Sequence, residues 1–228
     1  ARLIERGISG SKIAVIPNGA NTDKFRYTAE GARHVREMLG LAGKFVVMYA
    51  GIHGIAQGLE TLLQAADLLR HRDDIVFLFV GEGPRKAHLK QMAEHQGLSN
   101  VRFLPEVPSD LMPAYLSAAG CAIVPLRNEP LFRGAIPSKM FEAWACARPV
   151  ILSVVGEAER ILKQADGGIA VQPEDASGMA QAIERLAANP DQAQQMGERG
   201  RGFVQKHYSR QVQAQKLEAL LKEAANKR

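Results

Sequence analysis

Long apolar stretches are what this 228-residue sequence most clearly lacks. No run approaches the roughly 20 apolar residues that a membrane-spanning helix needs, and no charged-then-apolar leader precedes a small-residue cleavage site. Cysteine is scarce too, because only Cys121 and Cys146 are present and their spacing resembles no metal site. We therefore expect a cytoplasmic protein with two buried thiols and no bound metal.

Aromatic residues are also few, at 6% of the chain, and the basic residues form no obvious stripe. Nucleic-acid-binding domains are usually marked by such features, so we predict no nucleic-acid partner. The net charge is only +5. This mild excess suits an anionic ligand or a peripheral contact with the anionic inner face of the cell membrane.

Apolar β-branched runs alternate with segments of helical periodicity from about residue 45 onward, which is typical of parallel βαβ units. The runs are almost wholly apolar, so we expect helices on both faces of the sheet. The sequence therefore predicts an α/β fold with a Rossmann-like, doubly wound parallel sheet. The predicted strands are residues 45–50, 76–80, 101–104, 121–126, 150–153 and 169–171, with an earlier short strand at residues 13–16.

Helical periodicity predicts amphipathic helices over residues 59–69 and 179–187 and a long surface helix over residues 210–224. Pro137 suits the first turn of a further helix that runs to about Ala147, because its fixed φ fits and its missing N–H costs nothing there.

The predicted organisation has three parts. Residues 1–25 form an interdomain connection with the first short strand, residues 26–209 form one ligand-binding Rossmann-like domain, and residues 210–228 form a C-terminal helix. The chain begins with Ala1 instead of Met, and its first residues resemble a helix end, a turn and a strand. We interpret this as a start within a longer protein.

The loops that follow the strands carry the candidate site, because ligands of doubly wound sheets bind beyond the carboxyl ends of the strands. The first loop has glycines at Gly51, Gly54 and Gly58, directly before an amphipathic helix. Glycine lets a backbone approach a phosphate at a helix N-terminus, although such a turn also occurs for tight packing alone. The spacing is not the G-x-G-x-x-G of dinucleotide-binding folds. His53 in this loop is a weaker candidate.

Two further loops are candidates that plain turn chemistry explains equally well. Gly81 opens the turn after the second strand. The segment from Leu104 to Val107 follows the third strand, and its proline prescribes an extended path that could place backbone groups beside a flat base.

The most informative segment leads into the helix after Pro137. Lys139 in its first turn, together with free backbone amides, makes a competent diphosphate site. Glu142 lies one helical step further and could accept both hydroxyl protons of a ribose. The simpler alternative is a capped helix with an ion pair between these two residues. The other candidate contacts here are Arg133, Gly134, Ala135, Ile136, Pro137 and Ser138.

Four motifs lie in register along nearly the whole chain: VIPNG at residues 15–19 with Asp23 and Phe25, the Gln57-Gly58 pair, VGEGP at residues 80–84, and EAWACARPVI at residues 142–151. Together they resemble the C-terminal domain of family 4 glycosyltransferases. Each motif is weak alone, but the ordered set is specific.

The resemblance implies a GT-B fold whose C-terminal domain binds a nucleotide diphosphate sugar, with UDP expected from family frequency. It implies transfer of a hexose-type sugar with retention of configuration and without a metal or other cofactor. An N-terminal domain, absent from these residues, would hold a glycan or lipid-linked acceptor, so we expect the chain alone to be inactive. Carried over by position, Glu142 holds the ribose, the loop from Gly51 to Gly58 faces the diphosphate, and the backbone from Leu104 to Val107 faces the base.

Two positions depart from the family pattern. Gly134 stands where the first glutamate of the family's glutamate pair would fall, and Gln57 stands where the first loop usually has lysine. We hypothesise that Lys139, assisted by Arg133, supplies the missing positive charge, as in a branch that resembles amino-sugar transferases with Pro-Ser-Lys at this point. Gly134 could instead leave backbone amides free for the sugar or phosphate.

The departures keep other functions open. A non-catalytic nucleotide-sugar-binding module would tolerate the loss of two usual site residues. A GT-B nucleotide-sugar epimerase would need acid and base side chains that converge on the sugar, and outside the first loop no histidine is placed for that role. A dinucleotide oxidoreductase is disfavoured by the glycine spacing.

Overall fold

A computed structural model describes residues 2–226 and shows one six-stranded sheet in which every pair of neighbouring strands is parallel. The strand order is β3-β2-β1-β4-β5-β6. The strands are β1 (Phe45–Ala50), β2 (Ile75–Val80), β3 (Val101–Leu104), β4 (Cys121–Pro125), β5 (Val150–Ser153) and β6 (Gly168–Ala170).

Helices connect successive strands and complete the doubly wound arrangement. The α-helices are α1 (Arg2–Glu5), α2 (Ala29–Met38), α3 (Glu60–Leu68), α4 (Lys86–His95), α5 (Met112–Ala118), α6 (Ser138–Ala145), α7 (Glu157–Ala165), α8 (Ala176–Ala188), α9 (Pro190–His207) and α10 (Arg210–Asn226). Short 3₁₀ turns occupy Gly10–Lys12, Ile55–Gln57 and Pro130–Gly134.

The Rossmann-like fold class is confirmed, and the six strands predicted after residue 45 differ from the observed ones by at most one residue at either end. The helix predicted from Pro137 is slightly longer than the observed one. Pro137 is the N-cap and Ser138 the first helical residue of α6, while Ala147 lies beyond the helix end with φ +54°. Both cysteines are buried free thiols, as expected.

The strand predicted at residues 13–16 is wrong. These residues have no ladder partner in the described part of the chain, and Val15 is 82% exposed. The chain meets the rest of the domain later, where Ala20 forms an isolated bridge with Ser209. An apolar β-branched run indicates strand propensity but does not supply the neighbouring strand that a sheet requires.

Alternate residues of the strands point to opposite faces of the sheet, and both faces are covered. Met48 belongs to a buried cluster with Phe141 and Trp144 of α6, while Tyr49 belongs to a cluster on the other side with Leu62 of α3. Because both faces are buried, the strands carry apolar residues at nearly every position.

The topological switch point lies between β1 and β4, since the chain moves from β1 towards β2 and β3 and then returns to the other side of β1. Helices that leave β1 and β4 cover opposite faces, so a crevice opens between the carboxyl ends of these two strands. The first loop follows β1, and the loop into α6 follows β4. The fold therefore brings the two strongest sequence candidates to one place.

Candidate functional site

A cavity of about 190 Å³ opens at the switch point, and we call it the switch-point cavity. Phe25, Met48, Met112 and Leu116 give it apolar walls, and Lys139 and Glu142 bring charged groups to it. An apolar crevice with a few convergent polar groups is the usual form of a small-molecule site.

Lys139 projects from the first turn of α6 towards β1. Its Nζ donates a hydrogen bond of 3.1 Å to Tyr49 Oη and lies 4.7 Å from the centre of that ring. Burial lowers the pKa of Lys139 to about 8, although nearby Glu142 opposes the shift. The lysine is thus a partly desolvated cation that faces the cavity.

Glu142 is a partly buried carboxylate on the next turn of α6. Burial raises its pKa, while the charges of Lys139, Arg210 and Lys24 act in the opposite direction. No ion pair within 4 Å joins Lys139 and Glu142, so the simpler alternative of a structural pair is not what forms here. Both charges remain available to a ligand.

Glu142 also borders a second cavity of about 390 Å³. Ser138, Asn18, Gly19 and Arg210 line this cavity, which lies between the N-terminal segment and α10. Glu142 therefore lies between two open spaces, and the VIPNG motif reaches the site from the opposite end of the sequence.

The glycines of the first two loops permit close contact between backbones. Gly51 has φ +138° and Gly81 has φ +131°, and a Cβ on Gly81 would lie 2.1 Å from the Gly51 carbonyl oxygen. A Cβ on Gly83 would likewise lie 2.6 Å from the His53 carbonyl oxygen. The His53 N–H donates to the Glu82 carbonyl at 2.8 Å and ties the loops together. These glycines have a packing role whatever else they contact.

The remainder of the first loop folds back on itself. Residues Ile55–Gln57 form a 3₁₀ turn, and the Gln57 side-chain oxygen would lie 2.6 Å from a Cβ on Gly54. Gly58 adopts a left-handed conformation with φ +56°, and the Arg127 side chain packs beside it.

His53, a weak sequence candidate, lies behind this loop and does not line the switch-point cavity. Its side chain is fully buried among the rings of Tyr49, Phe79 and Phe103, and neither ring nitrogen has a hydrogen-bond partner. Burial, followed by the positive charge of Lys86, lowers the pKa of His53 to about 4. The imidazole behaves as an uncharged aromatic ring in this position, so a direct side-chain contact with a ligand is not supported.

Lys86 organises the second and third loops. Its buried ammonium donates to the Gly81 carbonyl at 2.8 Å and to the Leu104 carbonyl at 2.9 Å. The Leu104 carbonyl is therefore engaged within the protein. Val107, three residues further, lines the switch-point cavity.

The loop that enters α6 is more open. Arg133 has an exposed side chain, and its carbonyl oxygen would lie 2.2 Å from a Cβ on Gly156. A Cβ on Gly134 would meet no heavy atom within 4 Å. Ala135, Ile136 and Pro137 are partly buried and lead the chain into the helix.

The structure brings Gly51, Val107, Lys139 and Glu142 to one cavity. It also adds residues that the sequence did not single out for a role. Lys24 donates to Ser109 Oγ at 2.8 Å beside the cavity. Tyr49 carries the only hydroxyl of β1. A buried tyrosine usually finds a partner for its O–H, so this hydroxyl was the one sequence feature that could have indicated a role for Tyr49.

Among residues 2–226, no group of three or more histidine, cysteine, aspartate or glutamate residues is placed to hold a metal ion. No helix in the described part of the chain is long and apolar enough to cross a membrane.

Comparison with known proteins identifies the family and the fold of this chain. The family model described as Glycosyl transferases group 1 matches residues 44–189. Over 194 residues the chain is 28% identical to WcaI of Escherichia coli, which is described as a glycosyl transferase of colanic acid biosynthesis, and the match covers 83% of this chain and 47% of that protein.

Solved structures show the same fold. Sucrose-phosphate synthase from Thermosynechococcus elongatus matches with a TM-score of 0.83 and 26% identity, over 100% of this chain and 56% of that one. Alr3699/HepE from Anabaena, solved in complex with UDP-glucose, matches with a TM-score of 0.84 and 18% identity, over 96% of this chain and 60% of that one. The chain spans about half the length of the curated relatives it matches. It belongs to the glycosyl transferases group 1 family and has the fold of the C-terminal domain of a GT-B glycosyltransferase.

Proposed function

We propose that this domain binds a nucleotide diphosphate sugar, UDP-linked, at the switch-point cavity. The observation that carries the proposal is the pair formed by Lys139 and Glu142. The two charged side chains lie one turn apart on α6, face the cavity between β1 and β4, and form no ion pair with each other.

The chemistry of each group suits one part of the donor. A carboxylate accepts two hydroxyl protons from a ribose, which makes Glu142 the ribose contact. A desolvated ammonium beside the free amides of a helix N-terminus stabilises a diphosphate, which makes Lys139 the diphosphate contact. Arg133, exposed in the loop before α6, assists when the donor is bound.

The choice of UDP is supported by a related structure, because Alr3699/HepE has been solved with UDP and with UDP-glucose. The apolar wall beside Val107 provides room for a flat base.

The reaction is transfer of a hexose-type sugar with retention of configuration and without a metal. Negative charge develops on the leaving diphosphate, and Lys139 and the helix amides stabilise that charge in a partly desolvated site. The acceptor, a glycan or a lipid-linked glycan at the inner membrane surface, would be held by an N-terminal domain of the same protein. The chain alone is therefore expected to bind donor without transferring sugar.

Isothermal titration calorimetry of this chain with UDP, GDP and ADP, with and without EDTA, tests the proposal. The wild-type chain is compared with Lys139→Ala and Glu142→Ala. Lys206→Ala, which changes an exposed lysine on α9, is the matched control.

We expect binding of UDP that EDTA does not change and that both site substitutions weaken by about tenfold or more, whereas Lys206→Ala binds as wild type. Absence of binding to every nucleotide would contradict the proposal. Unchanged affinity in Lys139→Ala would remove the lysine from the diphosphate site.

A further inference from the structure

Tyr49 makes two hydrogen bonds with its hydroxyl, although its side chain is fully buried at the end of β1. Tyr49 Oη donates to the Ile52 carbonyl at 2.6 Å and receives a hydrogen bond of 3.1 Å from Lys139 Nζ. A phenol has a single proton to donate, so the direction of both bonds is fixed. The chain of bonds runs from Lys139 through Tyr49 to the first loop.

The Lys139 ammonium has three protons, and the bond to Tyr49 is its one side-chain hydrogen bond in the described structure. Within the described residues, no carboxylate oxygen lies within 4 Å of Lys139 Nζ. The ammonium occupies the space that a side chain at Gly51 would fill, because a Cβ at that position would lie 1.8 Å from Nζ. Gly51 and Tyr49 together define the position of the Lys139 ammonium.

From this geometry we propose that Tyr49 is a positioning residue, which holds the Lys139 ammonium towards the diphosphate of the donor and links it to the first loop. The inference rests on the proposed function, because it assumes that Lys139 contacts the donor. Tyr49 itself is buried and does not line the switch-point cavity. Its role is to orient one proton of the ammonium away from the cavity, which leaves the remaining protons for the phosphate oxygens.

Two readouts distinguish positioning from a purely structural role. Without the hydroxyl, Lys139 is free to adopt other rotamers, so donor affinity falls. A hydrogen bond to the charged ammonium favours the charged form, so we expect loss of the hydroxyl to lower the pKa of Lys139. The groups that face the ammonium are Tyr49 on β1, His53 in the first loop and Glu142 on α6. We therefore expect UDP affinity to fall as the pH rises. This fall should begin at a lower pH in Tyr49→Phe than in the wild type.

The experiment is calorimetric titration of this chain with UDP from about pH 6.5 to about pH 9.5, for wild type, Tyr49→Phe and Lys139→Ala. Tyr208→Phe is the matched control, because Tyr208 also packs on an aromatic ring but its hydroxyl forms no hydrogen bond in the described structure. We expect Tyr49→Phe to bind UDP about three- to tenfold more weakly near neutral pH, with the alkaline decline shifted to lower pH. Tyr208→Phe should match wild type in both respects.

A Tyr49→Phe chain with wild-type affinity and a wild-type pH profile would overturn the inference. If Lys139→Ala lost affinity in the same experiment, the proposed function would still stand. Failure of the wild-type chain to bind UDP would overturn both.

A second measurement needs no change at Tyr49. The NMR resonance of the Tyr49 ring carbon that bears the hydroxyl should shift as Lys139 titrates, and the same resonance should not shift in Lys139→Ala; an identical response in both proteins would overturn the inference.

Discussion

Two cavities with basic side chains lie at opposite ends of the strands, and they differ in structure. We call the side of the sheet where the strands begin the amino edge and the side where they end the carboxyl edge. At the amino edge, a cavity of about 380 Å³ is lined by Arg36 and Arg148. At the carboxyl edge, the switch-point cavity is lined by Lys139. Burial lowers the pKa of all three groups.

The difference lies in the hydrogen bonds. Arg36 donates to the carbonyls of Ala118, Leu41 and Lys44, and Arg148 donates to the Ala119 carbonyl. Residues 118 and 119 stand at the C-terminal end of α5, where free carbonyls attract cations. These arginines are engaged by the fold. In the described structure Lys139 donates one side-chain hydrogen bond, to Tyr49 Oη, so its remaining protons are available to a ligand.

The largest expected effect concerns stability at the amino edge. In Arg36→Met three carbonyls lose the hydrogen bond from the guanidinium, and among the described residues only Leu41 keeps another, from the Lys44 N–H. This loss should lower the free energy of unfolding by roughly 2–4 kcal/mol in urea denaturation. Arg33→Met, on an exposed position of the same helix, should change it by less than about 0.5 kcal/mol. UDP affinity of the folded Arg36→Met chain should equal that of wild type, and a large loss of affinity would break the distinction between the two edges.

The second effect has the opposite sign. Lys139→Met removes a partly desolvated charge and should raise the free energy of unfolding near pH 7 by roughly 1–3 kcal/mol, because one pKa unit corresponds to about 1.4 kcal/mol before screening. The folded pKa of about 8 lies below the ordinary 10.5, so the unfolded state binds more protons between these values. Wild-type stability should rise with pH across that window, and the advantage of Lys139→Met should shrink. A destabilised Lys139→Met chain would mean that the lysine is structural.

His53 provides a neutral comparison within the first loop. Its folded pKa of about 4 lies below the ordinary 6.5, so the unfolded state binds more protons in that interval and acid should destabilise the protein there. The charged groups that act on it are Lys86, Glu82 and Lys139. We expect His53→Phe to gain roughly 1–2 kcal/mol of unfolding free energy near pH 5 and to flatten this pH dependence. An unchanged pH profile of stability would contradict the burial of the imidazole.

The smallest effect is expected at Gly134. An added Cβ would meet no atom within 4 Å, so Gly134→Ala should change the free energy of unfolding by less than about 0.5 kcal/mol. Gly156→Ala is the contrast, because φ is +98° there and the Cβ would lie 2.2 Å from the Arg133 carbonyl oxygen. Thermal unfolding of both variants measures the difference. Equal stability in the two would show that the loop before α6 is not held as described.

The sequence predicted the parts of this protein that local patterns encode. Uninterrupted apolar runs located the six strands of the sheet, and the spacing of Lys139 and Glu142 placed both on one side of α6. The strand at residues 13–16 failed because a local pattern does not reveal whether a neighbouring strand exists. Residues 1–25, 26–209 and 210–228 remain a prediction as domain boundaries.

The contacts that complete the site join distant positions. Tyr49 and Lys139 are 90 residues apart, and Lys24 and Ser109 are 85 residues apart. No periodicity within one element could indicate such pairs. The burial of His53 is of the same kind, because it depends on Phe79 and Phe103 in two other strands. Local chemistry therefore indicated segments that line the switch-point cavity, and the folded chain determined which of their residues face it.

A crystal structure of this chain with UDP tests the proposed donor site most directly. We expect the diphosphate within hydrogen-bond distance of Lys139 Nζ, the ribose hydroxyls on Glu142, and no nucleotide in the cavity at Arg36 and Arg148. A nucleotide bound at the amino edge, or bound at the carboxyl edge without contact to Lys139 and Glu142, would contradict the proposal.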